Sequence, residues 1–179
     1  MRSIVRLGFG MMLAFVVLGL VLYSSCKRGN NCDGVLCVNT GHCADGFCVC
    51  PTGTGGDSCE ITFRTLYANK YAGSANVNTA HLGYTLVFSV PPSAVGFLSM
   101  ELTVLKTAGG ATDIPSLPLL LSSSATATSG PFTISPVTIN GTTYNGTGVL
   151  YAKAMSMTLY KSRPGVIDTT YVCDNFVLQ

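Results

Sequence analysis

Six cysteines lie between Cys32 and Cys59 with the spacing C-x4-C-x5-C-x4-C-x-C-x8-C. Sulfur at this density can bind zinc, run a redox couple or close disulfides. Zinc sites pair C-x2-4-C units across spacers, and neither Cys48-Val-Cys50 nor His42 supplies that pattern. A redox pair needs C-x-x-C beside a βαβ unit, and none is present. A segment this short cannot bury a core of its own, so covalent links must replace it. Each link is worth ~2–4 kcal/mol, chiefly by restricting the unfolded chain. Six cysteines allow fifteen pairings, and spacing alone does not choose among them.

Two stretches carry a resemblance. Cys37-Val-Asn39-Thr-Gly41-His-Cys43 resembles the turn of an EGF-like domain, and Cys48-Val-Cys50-Pro-Thr-Gly53-Thr-Gly-Gly56-Asp-Ser-Cys59 resembles its closing signature. The resemblance covers this segment only and implies the pairs Cys32–Cys43, Cys37–Cys48 and Cys50–Cys59. Thr54 stands where the family usually has an aromatic, which implies a looser closing loop. Calcium-binding members place oxygen ligands before the first cysteine and after the third. Asn30, Asn31 and Asp45 match in part, but Arg28 stands where an oxygen is expected. These polar residues read as turn formers, so no metal and no cofactor is expected.

The remaining chain is poor in catalytic groups. Beyond Cys59 and Glu60 it holds one histidine, His81, and four acids: Glu101, Asp113, Asp168 and Asp174. Glu101 falls on the wet face of an alternating strand. No nucleophile elbow, phosphate loop or zinc-protease helix motif occurs. No catalysis is expected, although a pocket joining His81 to an acid would reverse that. Tyr144, Tyr151, Tyr160 and Tyr171 could form an aromatic platform for sugars in a chain without tryptophan. Strand packing explains them equally well. Asn140-Gly-Thr142 and Asn145-Gly-Thr147 are glycosylation sequons that also read as turns, and Asp168-Thr-Thr170 resembles a bacterial O-glycosylation motif. Ser122–Gly130 is a low-complexity loop. Cys173 reads as a buried thiol or, less simply, half of an intermolecular bridge.

The N-terminus reads as an export signal. Arg2 and Arg6 precede an uncharged run, Leu7–Tyr23, and Ser24-Ser25-Cys26 follows. Leu22-Tyr23-Ser24-Ser25-Cys26 resembles a lipobox, with Tyr23 departing from the usual aliphatic. The resemblance implies a diacylated Cys26 and an outer-membrane lipoprotein on the periplasmic or surface face. An uncleaved anchor is the alternative, since a span takes ~20 apolar residues; a cleaved chain with a free Cys26 thiol is another. Cleavage removes Arg2 and Arg6 and leaves eight cations against eight anions. The formal charge of +2 therefore says nothing of nucleic acid, which needs clustered cations.

The elements that must position these groups are strands. Leu98, Met100, Leu102 and Val104 alternate with polar residues, as do Tyr84, Leu86, Phe88 and Val90, and Met155, Met157 and Leu159. Further strands are expected over Ile61–Tyr67, Leu117–Ser122, Phe132–Ile139 and Tyr171–Leu178. Turns fall at Pro91-Pro92, Gly109-Gly110, Ser129-Gly-Pro131, Asn140-Gly141 and Arg163-Pro-Gly165, the fourth suiting a tight hairpin. The expected fold class is mostly β: a disulfide-rich EGF-like module plus an antiparallel sandwich or barrel, behind an N-terminal signal helix. The divisions are a signal peptide over 1–25, a lipidated linker over 26–31, the EGF-like domain over 32–59 and a β domain over 61–179. The layout, with Tyr67–Gly73, Gly146-Thr-Gly148 and Met157–Tyr160, resembles small bacterial lipoproteins joining such a module to a β domain of unknown role. With no cluster of catalytic groups and with polar turns exposed on a rigid sheet, the expected function is a non-catalytic binding or structural module, membrane-held, with a glycan or protein partner. A small surface hydrolase or inhibitor with a minimal site, and a single-pass membrane-anchored EGF-like ligand, are the alternatives.

Overall fold

The computed structural model describes residues 31–108 and 110–179. The expected signal segment, Cys26, Arg28 and Asn30 lie outside them. Strands β1 (His42–Ala44) and β2 (Phe47–Val49) form a hairpin. Its turn is Asp45-Gly46, with φ of 51° and 91°, the pair of positive angles that a type I′ turn demands. Asp45 is thereby accounted for as a turn residue. Disulfides join Cys32 to Cys43, Cys37 to Cys48 and Cys50 to Cys59, first to third, second to fourth and fifth to sixth.

The cysteine module runs into the β region without a linker. Its last loop supplies β3 (Thr54–Gly55), which pairs with β4 (Ile61–Thr62). A one-turn helix follows, α1 (Phe63–Tyr67). The strand expected over Ile61–Tyr67 is therefore two residues of strand and then helix. The reason lies in what the two aromatics reach. Phe63 and Tyr67, four residues apart, share one helical face and are both buried in the core. On an alternating strand the same face would also have taken in Ile61 and Thr65, which stay exposed.

Eight strands then run in sequence: β5 (Lys70–Val77), β6 (Ala80–Ser89), β7 (Ser99–Lys106), β8 (Thr112–Leu121), β9 (Ser129–Ile139), β10 (Thr142–Tyr151), β11 (Ala154–Ser162) and β12 (Thr169–Leu178). Each is antiparallel to the next, and β12 returns to β5 with Tyr171 opposite Val77 and Cys173 opposite Ala75. Closure decides between the two expected architectures in favour of an up-and-down barrel, which leaves no free edge. The seam between β8 and β9 is the loosest, paired only at Leu120–Thr133 and Leu121–Phe132. Pro115, Pro118 and Pro136 lie along it, residues that have no N–H to give a ladder.

The alternation seen in sequence turns the apolar side inward. Leu86 and Phe88 of β6, Met100, Leu102 and Val104 of β7, and Met155, Met157 and Leu159 of β11 are all buried. The outer positions between them carry Thr85, Glu101, Thr103, Ser156 and Thr158. A membrane-spanning barrel has the opposite polarity, with an apolar outer band. Among the described residues no helix is long and apolar enough to cross a membrane. Phe88 meets Tyr71 and Phe132 edge-to-face, with ring centroids 5.7 and 5.6 Å away. Such rings fill the barrel axis, and each fully buried Leu or Phe contributes ~1.5–3 kcal/mol. Gly148 makes room for this packing: a Cβ there would meet Phe132 Cζ at 2.5 Å and Met157 Cβ at 2.6 Å.

The two ends of the barrel differ. At the end where β5 begins, α1 lies across the opening. The Tyr67 hydroxyl donates to the Thr126 carbonyl at 2.8 Å. Arg64 donates to the Gly96 carbonyl, and its guanidinium lies over the Phe97 ring, 5.8 Å from the centroid. The cysteine module seats at this same end, with Gly53 packed closely on Phe97 and Leu98. The Phe63 amide donates to the Gly53 carbonyl at 2.9 Å.

Candidate functional site

The opposite end is bounded by the hairpins at Asn78-Thr79, Thr107–Ala111, Asn140-Gly141 and Arg163–Asp168. Here the inward-facing positions change character. Following the inward register of β7 past Met100, Leu102 and Val104 leads to Lys106. Following β11 past Met155, Met157 and Leu159 leads to Lys161. Lys106 stands opposite Tyr84, while Lys161 stands opposite Tyr144 on one side and Thr169 on the other. Paired residues in an antiparallel ladder share a face. The last inward layer is therefore tyrosine, threonine and lysine above an apolar core.

Asp113 enters this layer from an irregularity. The β7–β8 register shifts between Val104 and Leu105, where Ile114 and Thr112 are the partners and Asp113 is left over. Such a bulge re-aims a side chain. Its carboxylate lies 3.5 Å from Lys106 Nζ and accepts from the Tyr171 hydroxyl at 3.3 Å. Tyr84 and Tyr171 meet edge-to-face at 5.9 Å. Burial, followed by the negative charge of Asp113, pushes the Tyr84 phenol up to about 12. The same two causes raise Tyr171 further. Both hydroxyls therefore stay protonated at neutral pH and act as hydrogen-bond donors rather than bases.

Two recesses open from the mouth. One, of about 220 Å³, lies against Thr142, Tyr144, Lys161, Arg163 and Thr169. The other, of about 430 Å³, lies between β6 and β7 at Leu82, Tyr84 and Lys106. A third space, a groove of about 580 Å³, follows the loose β8–β9 seam on the outside, beside Glu101, Pro118, Leu120 and Pro136. Glu101 there accepts from the Ser116 hydroxyl at 2.9 Å, as a strand's wet-face acid would.

The residues singled out from sequence divide between mouth and surface. Tyr144 and Tyr171 are buried in the mouth, whereas Tyr151 and Tyr160 face outward, 44% and 51% exposed. The four tyrosines thus form no single platform. His81 is exposed, one position out of the inward register that holds Leu82 and Tyr84, while Asp168 and Asp174 are exposed elsewhere. Asp113 faces Tyr171 and Lys106 rather than His81. Among the described residues no group of three His, Cys, Asp or Glu could hold a metal ion. Cys173 is a free, buried thiol pushed up to about 12 by burial and then by the charge of Asp174. Asn140 occupies the tight β9–β10 turn with φ 51°. Tyr84, Lys106, Lys161 and Arg163 were not among the sequence candidates. No protein-family model, curated protein or solved structure matches the chain.

Proposed function

We propose that the chain is a lipid-anchored protein of the cell envelope, in which Cys26 carries the lipid and residues 32–59 are an EGF-like spacer. The barrel is a non-catalytic module that binds a glycan or protein partner through its polar mouth. The observation that carries this reading is the placement of the mouth at the barrel end opposite α1 and the cysteine module. A chain tethered from its N-terminal side then presents Tyr84, Tyr144, Tyr171, Lys106 and Lys161 away from the tether. Mouths of β-barrels are recurrent ligand sites, because side chains from several strands converge there on a rigid wall. The Tyr84 and Tyr171 phenols, held protonated by burial, offer donors for a ligand beside the threonine hydroxyls, and the Asp113 carboxylate is already engaged by Lys106 and Tyr171.

Two measurements test this. Intact mass of the purified mature protein should show a diacyl modification on Cys26 as first residue. A retained residue before Cys26, or a free thiol on it, refutes the anchor. Titration of a panel of saccharides and peptides should perturb the NMR signals of Tyr144 and Tyr171. Shifts confined to the cysteine module or to the outer β8–β9 groove would move the binding site away from the mouth.

A further inference from the structure

We infer that the recess formed by β10, β11 and the loop into β12 takes the carboxylate of an acidic saccharide, an inference that rests on the binding reading above. The charge balance of the mouth is uneven. Lys106 has its counter-ion in Asp113, and this is the ion pair found among the described residues. Lys161 and Arg163 share the other recess and have no carboxylate within ion-pair distance among those residues. Asp168, the acid of the same loop, is exposed and does not line the space. Among the described residues, two positive charges thus border one small concavity that no carboxylate lines. A guanidinium fork matches a carboxylate in two parallel hydrogen bonds, and an ammonium adds a point charge.

The rest of the recess favours a sugar as the bearer of that charge. Thr142, Tyr144 and Thr169 bring hydroxyl groups, which can donate to and accept from a polyol. Its volume of about 220 Å³ is below the ~300–1,000 Å³ of pockets that enclose drug-sized ligands. It therefore takes one charged ring and leaves the remaining chain outside. The loop above it supplies two apolar side chains to the same wall, Val166 and Ile167, which are 61% and 87% exposed. Packing within the protein does not explain that exposure. The C–H face of a pyranose ring laid in the recess would cover them.

The test uses the full mature chain in detergent, titrated by calorimetry with trigalacturonate, with its methyl ester, with sialyllactose and with lactose. A hexaglutamate peptide is the non-sugar control. The expected result is binding of at least one carboxylated saccharide, weakened about tenfold or more on esterification or loss of the acidic sugar. Arg163→Gln and Lys161→Gln should each reduce that binding, and Lys153→Gln, near the opposite end, should not. Arg163 is exposed on a loop, so its variant tests the site without threatening the fold. Equal binding of charged and neutral sugars overturns the carboxylate inference and leaves the mouth as a glycan site. Binding of hexaglutamate alone overturns the saccharide and leaves a protein-binding mouth. Binding of no carboxylated saccharide overturns the inference outright. The saccharide and peptide NMR panel then decides whether the mouth binds anything.

Discussion

Cys173, Tyr84 and Tyr171 show how single side chains make this barrel pH-sensitive on the alkaline side. Each has a folded-state pKa above its ordinary value, 9.0 for the thiol and 10.0 for the phenol, because burial disfavours the anion. In the unfolded chain these groups lose protons first, so the unfolded state binds fewer protons as pH climbs. The stabilisation is complete below about pH 9 and is lost as pH rises toward about 12. Urea melts at pH 7, 9.5 and 11 should show a falling midpoint, with a shallower fall in Cys173→Ala. An unchanged slope in that variant would mean that the thiol is not held neutral by the fold. Native Cys173 should also resist iodoacetamide at pH 8 and react on unfolding, as read on its own peptide by mass spectrometry. Cys173→Ser, which places a hydroxyl among apolar neighbours, should cost ~1–3 kcal/mol.

At the scale of elements, what sequence could tell depended on which residues face inward. In β6, β7 and β11 the inward residues are large and apolar, so the period of two is plain. In β10 the inward positions between Tyr144 and Leu150 are Gly146 and Gly148, which erase the apolar alternation. Gly73 does the same in β5, where a Cβ would meet Phe176 at 2.9 Å. The missing bulk is supplied from the neighbouring strands by Phe132 of β9 and Phe176 of β12, partners that local pattern cannot reveal. The choice of barrel over sandwich rests on the β12–β5 pairing of residues about a hundred positions apart, for the same reason. In the mouth, Tyr144 and Tyr171 were legible as aromatics. Lys106 and Lys161 could have been found by extending the alternation one step past its last apolar residue. Asp113 could not, because it depends on a bulge. Gly148→Ala tests the packing account directly: the added methyl overlaps Phe132 and Met157 and should destabilise by ~1–3 kcal/mol in denaturant melts. A neutral effect would show that the Phe132 ring has room to move.

For the molecule as a whole, the question is how far the barrel depends on the module seated at its closed end. The module holds its shape through disulfides, and its own side chains offer little core: Leu36 and Phe47 are largely exposed. Cys37→Ser removes the Cys37–Cys48 link, a loss of ~2–4 kcal/mol that so small a segment cannot absorb. The barrel has a continuous core and a closed ladder that includes no residue before Lys70. What passes between them is narrow: the β3–β4 pair, the Phe63–Gly53 bond, and the contact of Gly53 with Phe97 and Leu98. Cys37→Ser should therefore unfold the module and lower the barrel's melting temperature by a few degrees, as expected for a loss of about 1 kcal/mol. The barrel transition itself should stay cooperative. The fragment 61–179 should behave in the same way, with α1 retained as its plug but Phe63 and Phe97 newly wet. Far- and near-ultraviolet circular dichroism followed through one thermal scan distinguishes the outcomes. Coincident, sigmoidal loss of both signals means an autonomous barrel. A broad near-ultraviolet decay in the fragment would mean that the module completes the barrel's core rather than merely carrying it.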